Sequence, residues 1–167
     1  MSLAPSIGQA LADQLPVQDG AQRSDGGARA LISSTAKLDH VSEDAIRRLV
    51  DAFYVKVRLD SELAPVFARA ISGDWGPHLA RMYAFWSSVM LTTGRYKGNP
   101  VVKHFAIPGI QPPLFERWLA LFNETCDELF DDGISGEFRA KAARIAESLK
   151  LALFYRPDRP WPPEAAR

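Results

Sequence analysis

The segment "NPVVKHFAIPG", residues 99 to 109, sets a titratable ring, His104, among apolar neighbours with a proline near each end. A buried imidazole needs a partner at each ring nitrogen or it costs free energy. A backbone carbonyl, a carboxylate or a metal could serve. Three more side chains with polar tips fall on otherwise apolar helical stripes: Tyr54, His78 and Trp118. A phenol O–H and an indole N–H are donors suited to an anion-like ligand, and imidazole can donate, accept or bind a metal. Each of the four also has a plainer reading. A histidine on an apolar face is more often a hydrogen-bonded core residue, and tyrosine or tryptophan there is more often a large hydrophobe with one satisfied tip.

The elements that must position these residues read as helices. Ser42 can cap a helix whose first turn holds Glu43 and Asp44, and Ile46, Leu49, Val50, Phe53, Tyr54 and Val57 recur at helical spacing. "SELAPVFARAI" reads as a short irregular helical piece interrupted by Pro65. Asp74 is a plausible cap for a helix carrying Trp75, His78, Leu79, Met82, Phe85, Trp86, Val89 and Met90 on a broad face, ending before "TTGRYKGNP". Long loops at about 92 to 99 and 106 to 112 flank the His104 segment. That segment is too short to persist alone, since isolated helices under ~12 residues are marginal in water. A bond from His104 to iron would hold it and supply the missing ring partner.

Pro112 and Pro113 open a long helix with Leu114, Trp118, Leu121, Phe122, Thr125 and Leu129, stopped by "DDG" at 131 to 133. A last helix is expected from about Glu137 to Tyr155, burying Phe138, Ala142, Ile145, Ala146, Leu149 and Leu153. No alternating strand, internal repeat or Gly-rich phosphate loop is found, so the expected class is all-α. Residues 1 to 39 form a polar extension in which Ile7, Leu11 and Leu15 could make one short helix before Pro16. Disorder is its default. Residues 40 to 156 make the folded domain, and residues 157 to 167 a proline-rich tail.

The chain has 167 residues, enough for one sizeable core. Twenty basic and twenty acidic side chains balance, which argues against a protein built to grip nucleic acid or an anionic membrane. No run reaches the ~18 to 20 apolar residues of a membrane span, and the first residues lack a secretory pattern, so the expected compartment is cytoplasmic. The lone cysteine, Cys126, fits a reducing compartment and lies in an apolar helical pattern where inert packing is expected. His40, in the linker before the first helix, is expected to be exposed and without a role.

The ordered set "FYVKVR", "LAPVF", "WGPHLARMYAFW", "PVVKHFAIPG" and "FERWLALF" resembles the group III truncated haemoglobins, a branch of the globin family, over residues 40 to 156. Phe67 follows Tyr54 by 13 residues, His104 follows His78 by 26, and Trp118 follows His104 by 14. The glycine pairs that mark other truncated-globin groups are not evident. The resemblance implies a shortened, globin-like helical sandwich around haem b, the iron complex of protoporphyrin IX. His104 would be the proximal iron ligand, with its other ring N–H on a backbone carbonyl. Phe67 would pack on the porphyrin face, and Tyr54, His78 and Trp118 would line the distal side. Met82 would be apolar wall rather than an axial ligand. Lys103, Arg81, Arg95 and Tyr96 are candidate partners for the haem carboxylates.

Such a protein would bind oxygen, nitric oxide, carbon monoxide or similar small ligands reversibly at a pentacoordinate iron. Each distal hydrogen bond to a charged acceptor is worth ~1 to 3 kcal/mol, so two donors would slow oxygen release by ~10² to 10³. His78 could act as donor, swinging gate or second iron ligand. Strong donors also suit nitric oxide dioxygenation or peroxidase-like turnover. With no flavin or nicotinamide motif, a separate reductase would have to supply electrons, and enzymatic activity stays open. The alternatives are a haem-free helical module binding a protein partner or apolar ligand, and a bis-histidine electron-transfer haem protein.

Overall fold

The computed structural model describes residues 36 to 155, 157 and 158. The expected short helix around Leu11 lies outside them. The folded unit begins at Ala36. Six helices follow: α1 (Glu43–Leu59), α2 (Leu63–Ala70), α3 (Gly76–Leu91), α4 (Pro100–Phe105), α5 (Pro112–Leu129) and α6 (Asp132–Phe154). The chain is all-α, as expected. Among the described residues the sole β-type pairing is an isolated parallel bridge between Leu38 and Phe130. Leu38 N–H donates to Leu129 O at 2.8 Å and its carbonyl accepts from Asp131 N–H at 3.0 Å, tying the strand before α1 to the α5–α6 corner.

Local chemistry explains the helix ends. The Ser42 side chain accepts from Ala45 N–H at 3.1 Å, and Glu43 and Asp44 stand in the first turn of α1. The expected apolar face of α1 is buried throughout, from Ile46 to Val57. Asp74 Oδ1 accepts from Gly76 N–H at 2.9 Å, so it does close the start of α3, with Trp75 as the residue at the cap position. Asn99 caps α4 through Val102 N–H, and Pro100 occupies the first helical position.

Two boundaries differ from expectation. Pro65 does not interrupt α2, which is continuous from Leu63 to Ala70. The proline is the third helical residue, where the N–H has no intrahelical acceptor, so nothing is lost. The last helix starts at Asp132 rather than Glu137. Asp131 accepts from Ile134 N–H at 2.8 Å, and that cap outweighs the propensity cost of Gly133 and Gly136, about 1 kcal/mol each. The "DDG" run therefore begins a helix as well as ending one.

The core is aromatic. Phe122, fully buried, stacks between Trp86 at 4.8 Å and Trp118 at 5.0 Å, and Phe53 meets Trp118 and Phe122 edge-on. A second, smaller cluster gathers Phe115, Ala146, Leu149 and Leu153 between α5 and α6. Cys126 is fully buried and its thiol is pushed up to about 12, chiefly by burial, as inert packing requires.

Asp60 locks the corner between α1 and α2 to α5. Its side chain is 4% exposed, and Oδ2 accepts from Arg117 Nε at 2.7 Å and from Nη2 at 2.6 Å. Oδ1 accepts from Leu63 and Glu62 N–H at 2.9 and 3.1 Å, which starts α2. Burial alone would raise this carboxyl's pKa, but Arg117 and the two backbone donors outweigh it and hold it below the usual carboxylate range. A depressed pKa stabilises the fold above the unfolded value, near pH ~4, and that contribution is lost as pH falls through the folded value. Urea midpoints measured across acid pH should therefore fall more steeply below pH ~4 in the natural protein than in Asp60→Asn. Equal slopes would contradict the assignment.

Candidate functional site

The site lies where packing is incomplete. Helix α3 packs on α1, while α4 packs on α6, and no extended packing joins α3 to α4. The broad face of α3 is consequently only half buried: Leu79, Met82, Phe85 and Val89 all keep partial exposure, whereas Trp86 and Ser87 are fully enclosed. The inner sides of those four pack against the main core and their outer sides stay partly open, so they border the gap between α3 and α4, called the cleft below.

His104 stands on α4 at one side of this cleft. Its Nδ1 lies 2.7 Å from the Pro100 carbonyl oxygen. A carbonyl can only accept, so Nδ1 carries the proton and Nε2 keeps its lone pair. The bond is possible because Pro100 opens the helix one turn before His104, on the same face. Phe115 sits beside the ring at 6.2 Å.

Opposite, three of the residues singled out in the sequence meet. The rings of Tyr54 and His78 contact edge-on at 4.9 Å, and Phe67 lies 5.9 Å from Tyr54 and 6.3 Å from His78. Tyr54 is 5% exposed and its phenol pKa is raised by burial, so it stays a protonated donor. His78 Nε2 is buried with no hydrogen-bond partner among the described residues. Burial pushes the His78 pKa from 6.5 down to about 4, helped by the Arg81 guanidinium.

Trp118 is brought near through Phe53, which touches both it and Tyr54 at 5.1 Å. Its plane is set by stacking on Phe122. Met82 lies one turn beyond His78 on the same stripe. Lys103 is exposed and makes no ion pair among the described residues. Arg95 pairs with Glu43 at 3.0 Å. His40 is exposed and bonds only its neighbour Asp39.

Trp75, on the broad face of α3, joins this cluster although the sequence alone gives it no part in the site. It stacks on Phe67 at 6.3 Å and lies 6.0 Å from both Tyr54 and His78, closing the cluster from outside with Arg58 over its outer face at 5.1 Å. Its position just before "GPH" was the signal. A surface concavity of about 400 Å³ lies against Trp75, Ala64 and Ala68; neither histidine lines it, and it is separate from the cleft.

Among the described residues no group of three or more His, Cys, Asp or Glu side chains could hold a metal ion. An iron porphyrin asks the protein for as little as one nitrogen ligand and an apolar slot. The donor set fits that group: one imidazole with a free, oriented lone pair, an apolar slot, and an unpartnered polar atom across from it.

The fold is that of a truncated globin. It matches the crystal structure of the group III truncated haemoglobin from Campylobacter jejuni with a TM-score of 0.68 and 32% identity, over 71% of this chain and 96% of that one. In sequence the chain is 31% identical over 121 residues to the group 3 truncated haemoglobin ctb of Campylobacter jejuni subsp. jejuni serotype O:2, covering 71% of this chain and 95% of the relative. No family model matches the chain. The chain belongs to the group III truncated haemoglobin family, and membership implies haem.

A depressed histidine pKa disfavours the protonated form in the folded state. His78 in the haem-free protein should therefore stay neutral through pH 6 and titrate near 4, and folding stability should decline as pH falls from about 6.5 towards that value. NMR of the labelled imidazoles tests this directly. A His78 midpoint near 6.5 would show that the ring is solvated and not facing the cleft.

Proposed function

We propose that this protein is a haem b globin that reversibly binds oxygen and other diatomic ligands at a pentacoordinate iron. The observation that carries the proposal is the His104 ring, whose Nδ1 is held by the Pro100 carbonyl at 2.7 Å and whose Nε2 lone pair is thereby left to ligate. Haem, when bound, supplies an iron that takes up small ligands. The remaining work falls to the chain.

His104 is the proximal ligand, and the carbonyl behind it fixes its tautomer and raises its basicity. Phe67, with Leu79 and Met82, gives the cleft apolar walls that exclude water from the macrocycle. Tyr54, kept protonated by burial, donates its O–H towards a small ligand on the His78 side, and Trp118 offers an N–H that can only donate. In a cleft of low dielectric these donors act strongly on an anion-like ligand. Lys103, beside His104 and unpaired among the described residues, is a rim cation for a haem carboxylate. Such donors favour oxidative use of the ligand over easy release, so nitric oxide dioxygenation or peroxide-driven turnover, fed by a separate protein reductant, is the catalytic extension of the same site. No described helix is long and apolar enough to cross a membrane.

A second reading draws on His78. Its imidazole has a buried, unpartnered Nε2 that would be available as a second ligand to the iron. The ferrous spectrum distinguishes the two. A five-coordinate band that shifts with carbon monoxide supports ligand binding, and sharp six-coordinate bands without added ligand support the bis-histidine form.

Protein produced with haem should show a strong Soret band that is lost in His104→Ala and retained in His78→Ala; colourless protein would defeat the proposal. Tyr54→Phe and Trp118→Phe should each speed oxygen release by roughly 10-fold, the worth of one hydrogen bond to a charged acceptor. Stopped-flow release rates unchanged in both variants would remove the distal donors from the account.

A further inference from the structure

We infer that the concavity on the outer side of Trp75 is a binding site for a small carboxylate with an apolar body, coupled through Trp75 to the Tyr54–His78 pair. The hollow has a volume of about 400 Å³ and lies where the end of α1, one face of α2 and the α2–α3 loop meet. That volume falls within the range of small-molecule sites. The hollow is separate from the cleft, so binding there needs no haem.

Its lining is of two kinds. Ala64, Ala68 and Ile71 follow one another at spacings of four and three, share one face of the chain at α2, and make an apolar side. Arg58, in the last turn of α1, and Ser72, in the loop, make a polar side. Both are exposed. Among the described residues Arg58 makes no ion pair and the Ser72 hydroxyl makes no hydrogen bond. Asp74 is occupied by Gly76 N–H at 2.9 Å and does not line the hollow.

The guanidinium is nonetheless held in place. Its central carbon lies 5.1 Å from the centre of the Trp75 ring, over an aromatic face. A guanidinium carried on a ring keeps its N–H edge for a planar acceptor and can meet a carboxylate with two parallel hydrogen bonds. One cation with one hydroxyl matches a single negative charge; a phosphate dianion would be left half unpaired. The alanine and isoleucine side asks for hydrocarbon on the same ligand.

Trp75 carries the effect inward. It stacks on Phe67 at 6.3 Å and meets both Tyr54 and His78 at 6.0 Å. A carboxylate held by Arg58 is therefore one ring away from the distal pair.

Titration with phenylacetate, read by NMR on the full chain, tests the site in the haem-free form or in the ferrous form with carbon monoxide. The Trp75 indole resonance, identified by its loss in Trp75→Phe, should shift to saturation with a midpoint near ~1 mM, as suits so small a ligand. The His78 ring resonances should move with the same midpoint. Phenylacetamide, the neutral counterpart, should need roughly tenfold more, and Arg58→Gln should weaken phenylacetate by a similar factor. Ala68→Phe, which fills the hollow, should abolish the shift. A Trp75 resonance that stays still up to ~20 mM, phenylacetamide binding as well as phenylacetate, or unaltered binding in both variants would overturn the site. Movement of Trp75 without His78 would overturn the coupling. Failure of the chain to take up haem would overturn the proposed function and leave the haem-free titration as the test of this site.

Discussion

A single hydrogen bond organises the site: the 2.7 Å contact between His104 Nδ1 and the carbonyl of Pro100. It spans one turn of a helix only six residues long, and it converts a freely tautomerising ring into a donor on one side and a lone pair on the other. The rest of the fold can be understood as support for that ring. Pro100 begins the helix and Asn99 caps it. The small apolar cluster of Phe115, Ala146, Leu149 and Leu153 gives the helix a floor on α5 and α6. So short a helix has little stability of its own, and its position depends on that floor.

The opposite wall obeys a different constraint. Helix α3 is anchored at its far end by Trp86 and Ser87, both fully buried, while its first two turns lean on an aromatic group of Tyr54, Phe67 and Trp75. Between these supports lies a stripe that does not complete its burial against protein. Leu79, Met82 and Phe85 pack inward on the core and keep partial exposure along one face. His78 makes the same point in polar terms. An imidazole nitrogen buried without a hydrogen bond costs free energy, and a ligand on that side of the cleft would relieve it.

Much of this was legible in the sequence because the helices are amphipathic in a simple way. The face of α1 from Ile46 to Val57 and the capping roles of Ser42 and Asp74 follow from 3.6-residue spacing and side-chain chemistry, and each is present. Where sequence reasoning erred, a local signal was weighed against the wrong competitor. Pro65 was counted as a break although it falls in a first turn that Asp60, five residues earlier, starts from outside the helix. Gly133 and Gly136 suggested a loop, and the Asp131 cap overrode them. The tie between Leu38 and Phe130 could not be read at all, since it joins residues 92 positions apart and depends on where the α5–α6 corner lies.

The membership of the distal group shows the same division. Tyr54 and His78 could be named because each interrupts an apolar stripe, and Phe67 only through the family resemblance, but their mutual ring contacts arise from how α1, α2 and α3 cross. Trp75 falls on the same broad face as His78, but only the crossing of α1, α2 and α3 puts its edge against Tyr54 and His78. The carbonyl partner of His104 was expected in kind, and its identity as Pro100 needed the helix phase.

Chemical rescue of the His104→Gly variant tests the central coordinate bond most directly. Loaded with haem, the variant should lose the five-coordinate ferrous spectrum of the natural protein and regain it on addition of free imidazole, which fills the emptied side-chain space. A variant that keeps the natural ferrous spectrum without imidazole would contradict the assignment of His104 as the iron ligand.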